Sequence, residues 1–244
     1  MVRGMTVTGA APPDVPPSAL ADTVLERLTA VYGAAADPGR APAMRAYMKG
    51  VAPFLGIPTP ARRALSRTVQ AGTPRPDEAD CTAIALRCWE LPEREYHYFA
   101  VDWLRRHAAR CSSGFLPVAR HLITTVSWWD TVDLLAVHVV GALVAADPKL
   151  TADMDAWVTD GDLWVARTAL LHQLTYKGRT DADRLFAYCL VQSGHPDFFV
   201  RKAIGWALRE YAKTDPEAVR TFLARERGRF APLTVREALK NIGA

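Results

Sequence analysis

Two carboxylates three residues apart, Asp130 and Asp133, lie in the string Ser127-Trp-Trp-Asp-Thr-Val-Asp133, which opens onto the apolar run Leu134-Leu-Ala-Val137. A carboxylate fixed beside a reacting centre can stabilise positive charge as it develops and can orient water. Asp130 has a plainer use, because Ser127-x-x-Asp130 has the spacing of a capping box in which the acid returns to the N-cap amide. Asp133 stands one turn further on, beyond the reach of capping. A solvated or ion-paired surface acid is the plainer alternative for it.

Tryptophan is the second oddity, with seven in the chain. Trp89, Trp103 and Trp157 fit core positions of amphipathic helices. Trp128 and Trp129 are neighbours, about 100° apart on a helix, so both cannot face one packed interior. Trp206 is a large ring at a position where the other repeats described below hold Ser66, Val101, Ala136, Leu171 and Asn241. Cations follow nearby: Arg167, Lys177, Arg179, Lys202, Arg209 and Lys213. Each alone reads as a solvated charge, but on repeated equivalents of one helix face they could track a phosphate backbone.

Other chemistries find no support. The chain lacks the P-loop, dinucleotide-binding, zinc-peptidase and nucleophile-elbow strings. His97, His107, His121, His138, His172 and His195 are scattered, with no pair at i, i+4, so no metal site is expected. Cys81, Cys88, Cys111 and Cys189 form no C-x-x-C pair, and a reduced cytoplasmic chain is the simplest reading.

What positions these residues is an internal repeat. Trp164-Val-Ala-Arg-Thr-Ala-Leu-Leu aligns with Phe199-Val-Arg-Lys-Ala-Ile-Gly-Trp and with Thr234-Val-Arg-Glu-Ala-Leu-Lys-Asn, each offset by 35. Stepping back by 35 reaches Trp129, Arg94 and Thr59. Five residues on, the column reads Ala64, Phe99, Leu134, Ala169, Ile204 and Leu239, all apolar. Arg62, His97, Val132, Arg167, Lys202 and Glu237 form a column that reads as an exposed helix face. Thr59-Pro60, Thr180-x-x-Asp183, Asp215-Pro216 and Thr234-x-x-Glu237 supply helix-start signals. The expected architecture is an all-α, HEAT-like helical repeat solenoid with a concave DNA-binding face, preceded by a helix over residues 18 to 35.

Composition agrees with a globular chain. Of 244 residues, half are apolar and 23% charged, which is enough for one or two domains and a sizeable core. We expect a disordered tail over residues 1–18 and a single repeat domain over 19–244, with no signal peptide. No membrane span is expected either, since Leu134 to Ala146 is interrupted by His138 and ends at Asp147. Thirty basic residues face twenty-six acidic ones, and residues 161–244 hold fourteen against nine. The C-terminal third is thus the basic part, compatible with an anionic partner.

The strings themselves resemble those of AlkD-like DNA glycosylases, the HEAT-like repeat enzymes of DNA alkylation repair. Tyr47-Met-Lys49, Pro53-Phe-Leu-Gly-Ile-Pro-Thr-Pro60 and Trp89-Glu-Leu-Pro-Glu-Arg-Glu95 are similar to the family's first repeats. Ser127–Asp133, Leu170-Leu-His-Gln-Leu-Thr-Tyr-Lys177 and Lys202-Ala-Ile-Gly-Trp-Ala-Leu-Arg-Glu-Tyr-Ala-Lys213 are similar to the later ones. The likeness covers roughly residues 25 to 243. Departures are Val165-Ala166 before Arg167 and Thr175 where a lysine is common.

The resemblance implies that Asp133 is the catalytic aspartate, Trp129 and Trp206 the sugar-facing tryptophans, Arg167 a backbone-contacting arginine and Tyr47 the proximal tyrosine. It further implies a monofunctional glycosylase that needs no cofactor and acts on duplex DNA containing N3- or N7-alkylated purines. Such an enzyme leaves the base stacked rather than enclosing it in a pocket. A monomer in the cytoplasm, associated with the nucleoid, is expected. Two alternatives stay open: a glycosylase specialised for bulky adducts, as in self-resistance to a DNA-alkylating natural product, and a HEAT-like scaffold that binds DNA or protein without catalysis.

Overall fold

Ser18 starts the first helix: its hydroxyl accepts from the Ala21 amide at 2.9 Å, leaving Leu20, Ala21, Val24, Leu25 and Leu28 on one buried stripe. The computed structural model describes residues 12–240, so the expected tail lies outside the described residues as far as position 11. Residues 12–18 carry no helix. From there the chain runs α1 (Ala19–Ala34), α2 (Ala41–Tyr47), α3 (Thr59–Gln70), α4 (Glu78–Glu90), α5 (Arg94–His107), α6 (Leu116–Thr124) and α7 (Trp129–Leu135). A π-turn (Ala136–Val140) joins α7 to α8 (Gly141–Ala146). Then come α9 (Thr151–Trp157), α10 (Leu163–Leu171), α11 (Ala182–Val191), α12 (Phe198–Tyr211), α13 (Pro216–Glu226) and α14 (Pro232–Ala238). No strand occurs among the described residues.

The repeat is visible in the bonds between helices. Tyr32 and Ser66 share a hydrogen bond across 34 residues, the Trp89 indole donates to the Thr125 carbonyl across 36, and Tyr176 donates to the Gly141 carbonyl across 35. The second helices of successive pairs therefore stack in chain order: α5 on α7, α7 on α10, α10 on α12, α12 on α14. Helix α3 joins the same row through the Arg62–Asp102 ion pair at 2.9 Å. Gly205 lets α12 meet α14 closely, because a Cβ there would collide with Glu237 and the Thr234 carbonyl.

Several expectations are corrected. The column Arg62, His97, Val132, Arg167, Lys202, Glu237 is not an exposed face; all but the half-buried Lys202 are buried. Its charged members are tolerated because each meets an opposite charge one repeat or so away, which lowers the cost of removing it from water. The apolar column is buried at Phe99, Ala169 and Ile204, partly buried at Leu134 and Leu239, and exposed at Ala64. Of the helix-start signals, Asp215 caps α13 as expected, but Asp181 rather than Thr180 caps α11. Thr234 lies inside α14 and donates to the Arg201 carbonyl. The segment Trp129–Ala146 is one continuous 18-residue helix, long and apolar enough to cross a membrane. As 61% of it is buried in the molecule, its apolarity is used in packing against α5, α6 and α10.

Candidate active site

Val126 enters α7 with φ of 50°, an unfavourable conformation for a β-branched residue, and the Arg94 guanidinium holds its carbonyl at 2.8 Å. Arg94 is 1% exposed. The same guanidinium donates to both oxygens of Asp130, at 3.1 and 2.6 Å, and to the Thr131 hydroxyl at 2.9 Å. Tyr98 adds a third bond to Asp130 at 2.6 Å. The capping box expected of Ser127 and Asp130 is therefore absent: Trp128 is the N-cap residue, and Ser127 donates to the Ile123 carbonyl. Asp130 anchors α7 to α5 instead.

The two tryptophans separate as helical geometry requires. Trp128 is extended, with φ −158° and ψ 157°, so it and its successor leave the backbone in different directions. Its ring closes a triangle with Trp164 and Phe199, with centroids 5.0 to 5.8 Å apart. Trp128, not Trp129, thus makes the aromatic contact with the other repeats. Trp129 is 37% exposed and stands one helical turn before Asp133.

Asp133 is buried and meets Arg167 of α10 through two parallel hydrogen bonds, Nε to Oδ1 at 2.7 Å and Nη2 to Oδ2 at 2.8 Å. The third guanidinium nitrogen, Nη1, donates to the Phe199 carbonyl at the start of α12. Arg167 thereby locks together the three helices that carry Asp133, Arg167 and Trp206. Burial raises the Asp133 pKa above its ordinary value; the bonds and charge of Arg167 oppose that rise, and Asp130 adds to it. The arrangement is a desolvated carboxylate with a rigid orientation, beside an accessible indole. Arg167, expected to contact a DNA backbone, is 4% exposed, and its Nε, Nη1 and Nη2 all donate to protein acceptors.

The remaining residues fall into four groups. Trp206 is partly buried, packed against the core on α12, one turn after Lys202. Lys202 and Arg209 both pair with Glu237, at 3.3 and 2.6 Å, and Lys213 pairs with Glu210 at 2.7 Å. Lys177 and Arg179 sit exposed on a 3-10 turn after α10, with Arg179 over the Tyr176 ring. Tyr47, 74% exposed at the end of α2, is not linked to Asp133 by any described contact. Arg94, Tyr98 and the exposed Phe198, whose ring lies under the Lys202 ammonium at 5.8 Å, escaped the sequence reading. Opposite charges one repeat apart were the available signal for Arg94–Asp130 and Asp133–Arg167. Among the described residues no three His, Cys, Asp or Glu side chains gather as a metal site would need.

A family model described as DNA alkylation repair enzyme matches residues 28–242. A search of curated proteins gives no match. Among solved structures, one described as a predicted DNA alkylation repair enzyme from Enterococcus faecalis is similar, with a TM-score of 0.77 and 30% identity. The match covers 85% of this chain and 96% of that one.

Proposed function

The chain belongs to the DNA alkylation repair enzyme family, and from that premise we propose that it is a DNA glycosylase that hydrolyses the N-glycosidic bond of cationic N3- and N7-alkylated purines in duplex DNA. The observation that carries this reading is the pairing of a buried Asp133 with Arg167 one turn from the exposed Trp129.

An alkylated purine already bears positive charge, so it leaves as a neutral base and needs no strong general acid. As the bond to C1′ lengthens, its electron pair goes to the purine nitrogen and positive charge passes to the deoxyribose. The Asp133 carboxylate faces that charge, and a bound water then adds to C1′, releasing its proton. Preorganised charge of this kind is worth a few kcal/mol, by analogy with about 2.7–4 for one oxyanion-hole donor. Arg167 weakens the field of Asp133 somewhat. In return it keeps the carboxylate ionised and correctly turned in a site where burial favours protonation.

Trp129 and Trp206 would supply indole faces to the sugar, and Lys177 and Arg179 uncommitted charges to the phosphates. Because the row of second helices would form an open concave surface, the damaged base can stay stacked while the backbone is held. Selectivity then follows from the lability of the cationic nucleoside. The test is base release from duplex containing 7-methylguanine, comparing wild type with Asp133→Asn. Release by the wild type and a loss of about 100-fold or more in the variant supports the reading. Equal release shows that Asp133 is not the group that drives base loss, and none from either on methylated and bulky adducts leaves a non-catalytic helical scaffold.

A further inference from the structure

Far from Asp133 along the row of second helices, α3 and α5 enclose a cleft lined by Arg63, Arg67, Arg105 and Arg106, with Gln70 and Asp102. All four arginines are exposed. The single acid is already held by Arg62, and Arg106 donates to Gln70 at 2.8 Å. Arg63, Arg67 and Arg105 have no ion-pair partner among the described residues. On the first helices of the later pairs, by contrast, Arg87 of α4, Arg120 of α6, Arg184 of α11, and Arg220 and Arg225 of α13 are in ion pairs, while Arg27 of α1 donates to the Ala71 carbonyl. Unneutralised guanidinium therefore collects in this cleft, whereas Arg62, Arg94, Arg167 and Arg209 of the second helices are each paired with an acid.

Register fixes where this cleft looks. Arg63 occupies in α3 the position Asp133 occupies in α7, two repeats of 35 later. Arg67 is one turn on, on the same stripe of α3. Across the cleft, the Arg105 charge reaches His138 on the helix that carries Asp133 and, after burial, helps to hold that imidazole below its ordinary pKa. The basic cleft and Asp133 thus lie along one row of second helices, α3 joined to α5 and α5 packed on α7. Helices packed about 8–10 Å apart put two repeats at about 16–20 Å, some five base-pair steps of about 3.4 Å along one strand.

We propose that the α3/α5 arginine cleft is a second backbone-binding station, which grips duplex phosphates about five base pairs from the lesion held at Asp133. Guanidinium suits the task, since its planar fork meets phosphate oxygens bidentately. The cleft lies in the N-terminal half, where eleven basic residues face ten acidic ones over the first hundred positions, so segment charge hides it. The inference rests on duplex DNA being the partner of the active-site face.

The experiment measures binding of a short undamaged duplex at several potassium chloride concentrations. Each lost phosphate contact removes about 0.9 from the slope of log K against log salt, so Arg63→Ala/Arg67→Ala should flatten it by nearly two. Arg63→Lys/Arg67→Lys should retain the slope, and Arg87→Ala, which removes a charge from a first helix, should leave it as in wild type. A slope unchanged in the double alanine variant, or flattened equally by Arg87→Ala, overturns the cleft. Base release from 7-methylguanine duplex is followed in parallel. A cleft-dependent slope without base release overturns the glycosylase reading alone. Base release with a cleft-independent slope overturns the cleft alone, and no duplex binding by the wild type overturns both.

Discussion

Asp133 and Arg167 meet side-on, with both carboxylate oxygens bonded to Nε and Nη2 of one guanidinium, 34 residues apart in sequence and buried at the junction of α7 and α10. Burial alone would protonate the acid more readily, and the arginine counters it. Removing the arginine leaves desolvation unopposed. Arg167→Ala should therefore raise the Asp133 pKa further and move the acid limb of the pH–rate profile to higher pH, with the largest activity loss at the acid end. Stability should fall by up to about 3–5 kcal/mol, less if the stranded carboxyl takes up a proton. An acid limb that stays in place in a folded variant would show that Arg167 does not govern the ionisation of Asp133.

Trp128 and Trp129 should respond oppositely to truncation. Trp128→Ala opens the triangle with Trp164 and Phe199, and about 3 kcal/mol of stability should be lost, near the low end for a truncated core aromatic. Trp129→Ala removes a ring 37% exposed and should change stability by less than about 1 kcal/mol while lowering base release. Thermal unfolding and base-release rates of the two variants check this. Matching losses of stability would place both rings in the core.

The cost of losing Asp130 distinguishes its two candidate roles. As a capping acid it would contribute about 0.5–2 kcal/mol. As the partner of Arg94 it leaves an unpaired guanidinium in the interior, so Asp130→Ala should cost about 3–5 kcal/mol. Urea unfolding measures it directly. A cost below about 2 kcal/mol would mean the Arg94 pair is not what holds α7 to α5.

How far the sequence disclosed the molecule follows from what each signal reports. A 35-residue period reports stacking, and the helical row from α3 to α14 follows it. Residue type reports exposure only on average, so Arg62, Arg167 and Glu237 read as surface although each is buried against an opposite charge. Cap assignments slipped by a residue where a better acceptor stood adjacent, as Asp181 does beside Thr180. Asp133 could be singled out because its counterparts in the other repeats, Arg63, Tyr98, Thr168, Ala203 and Ala238, include no acid. Its partner could not, because the contact exists only once α7 and α10 are in register. The roles of Trp206 and Tyr47 are implied by resemblance and not by spacing.

Glu237 offers a stability test independent of catalysis. Lys240, Arg209 and Lys202 surround it on α14 and α12 and hold its pKa down to about 2, against an ordinary 4.5. For an acid whose folded pKa is depressed, the stabilisation is complete above the ordinary value and disappears as pH falls through the folded one. Wild type should therefore lose this contribution between about pH 4.5 and 2. In Glu237→Gln, which cannot ionise, the contribution is missing at every pH. The stability gap between wild type and variant should be widest at pH 7, shrink below about pH 4.5 and nearly close near pH 2, as read by urea unfolding across that range. A gap of constant size would mean that the three cations do not stabilise the Glu237 carboxylate in the folded chain, and that α12 and α14 are held by the close packing at Gly205 and the Thr234–Arg201 hydrogen bond instead.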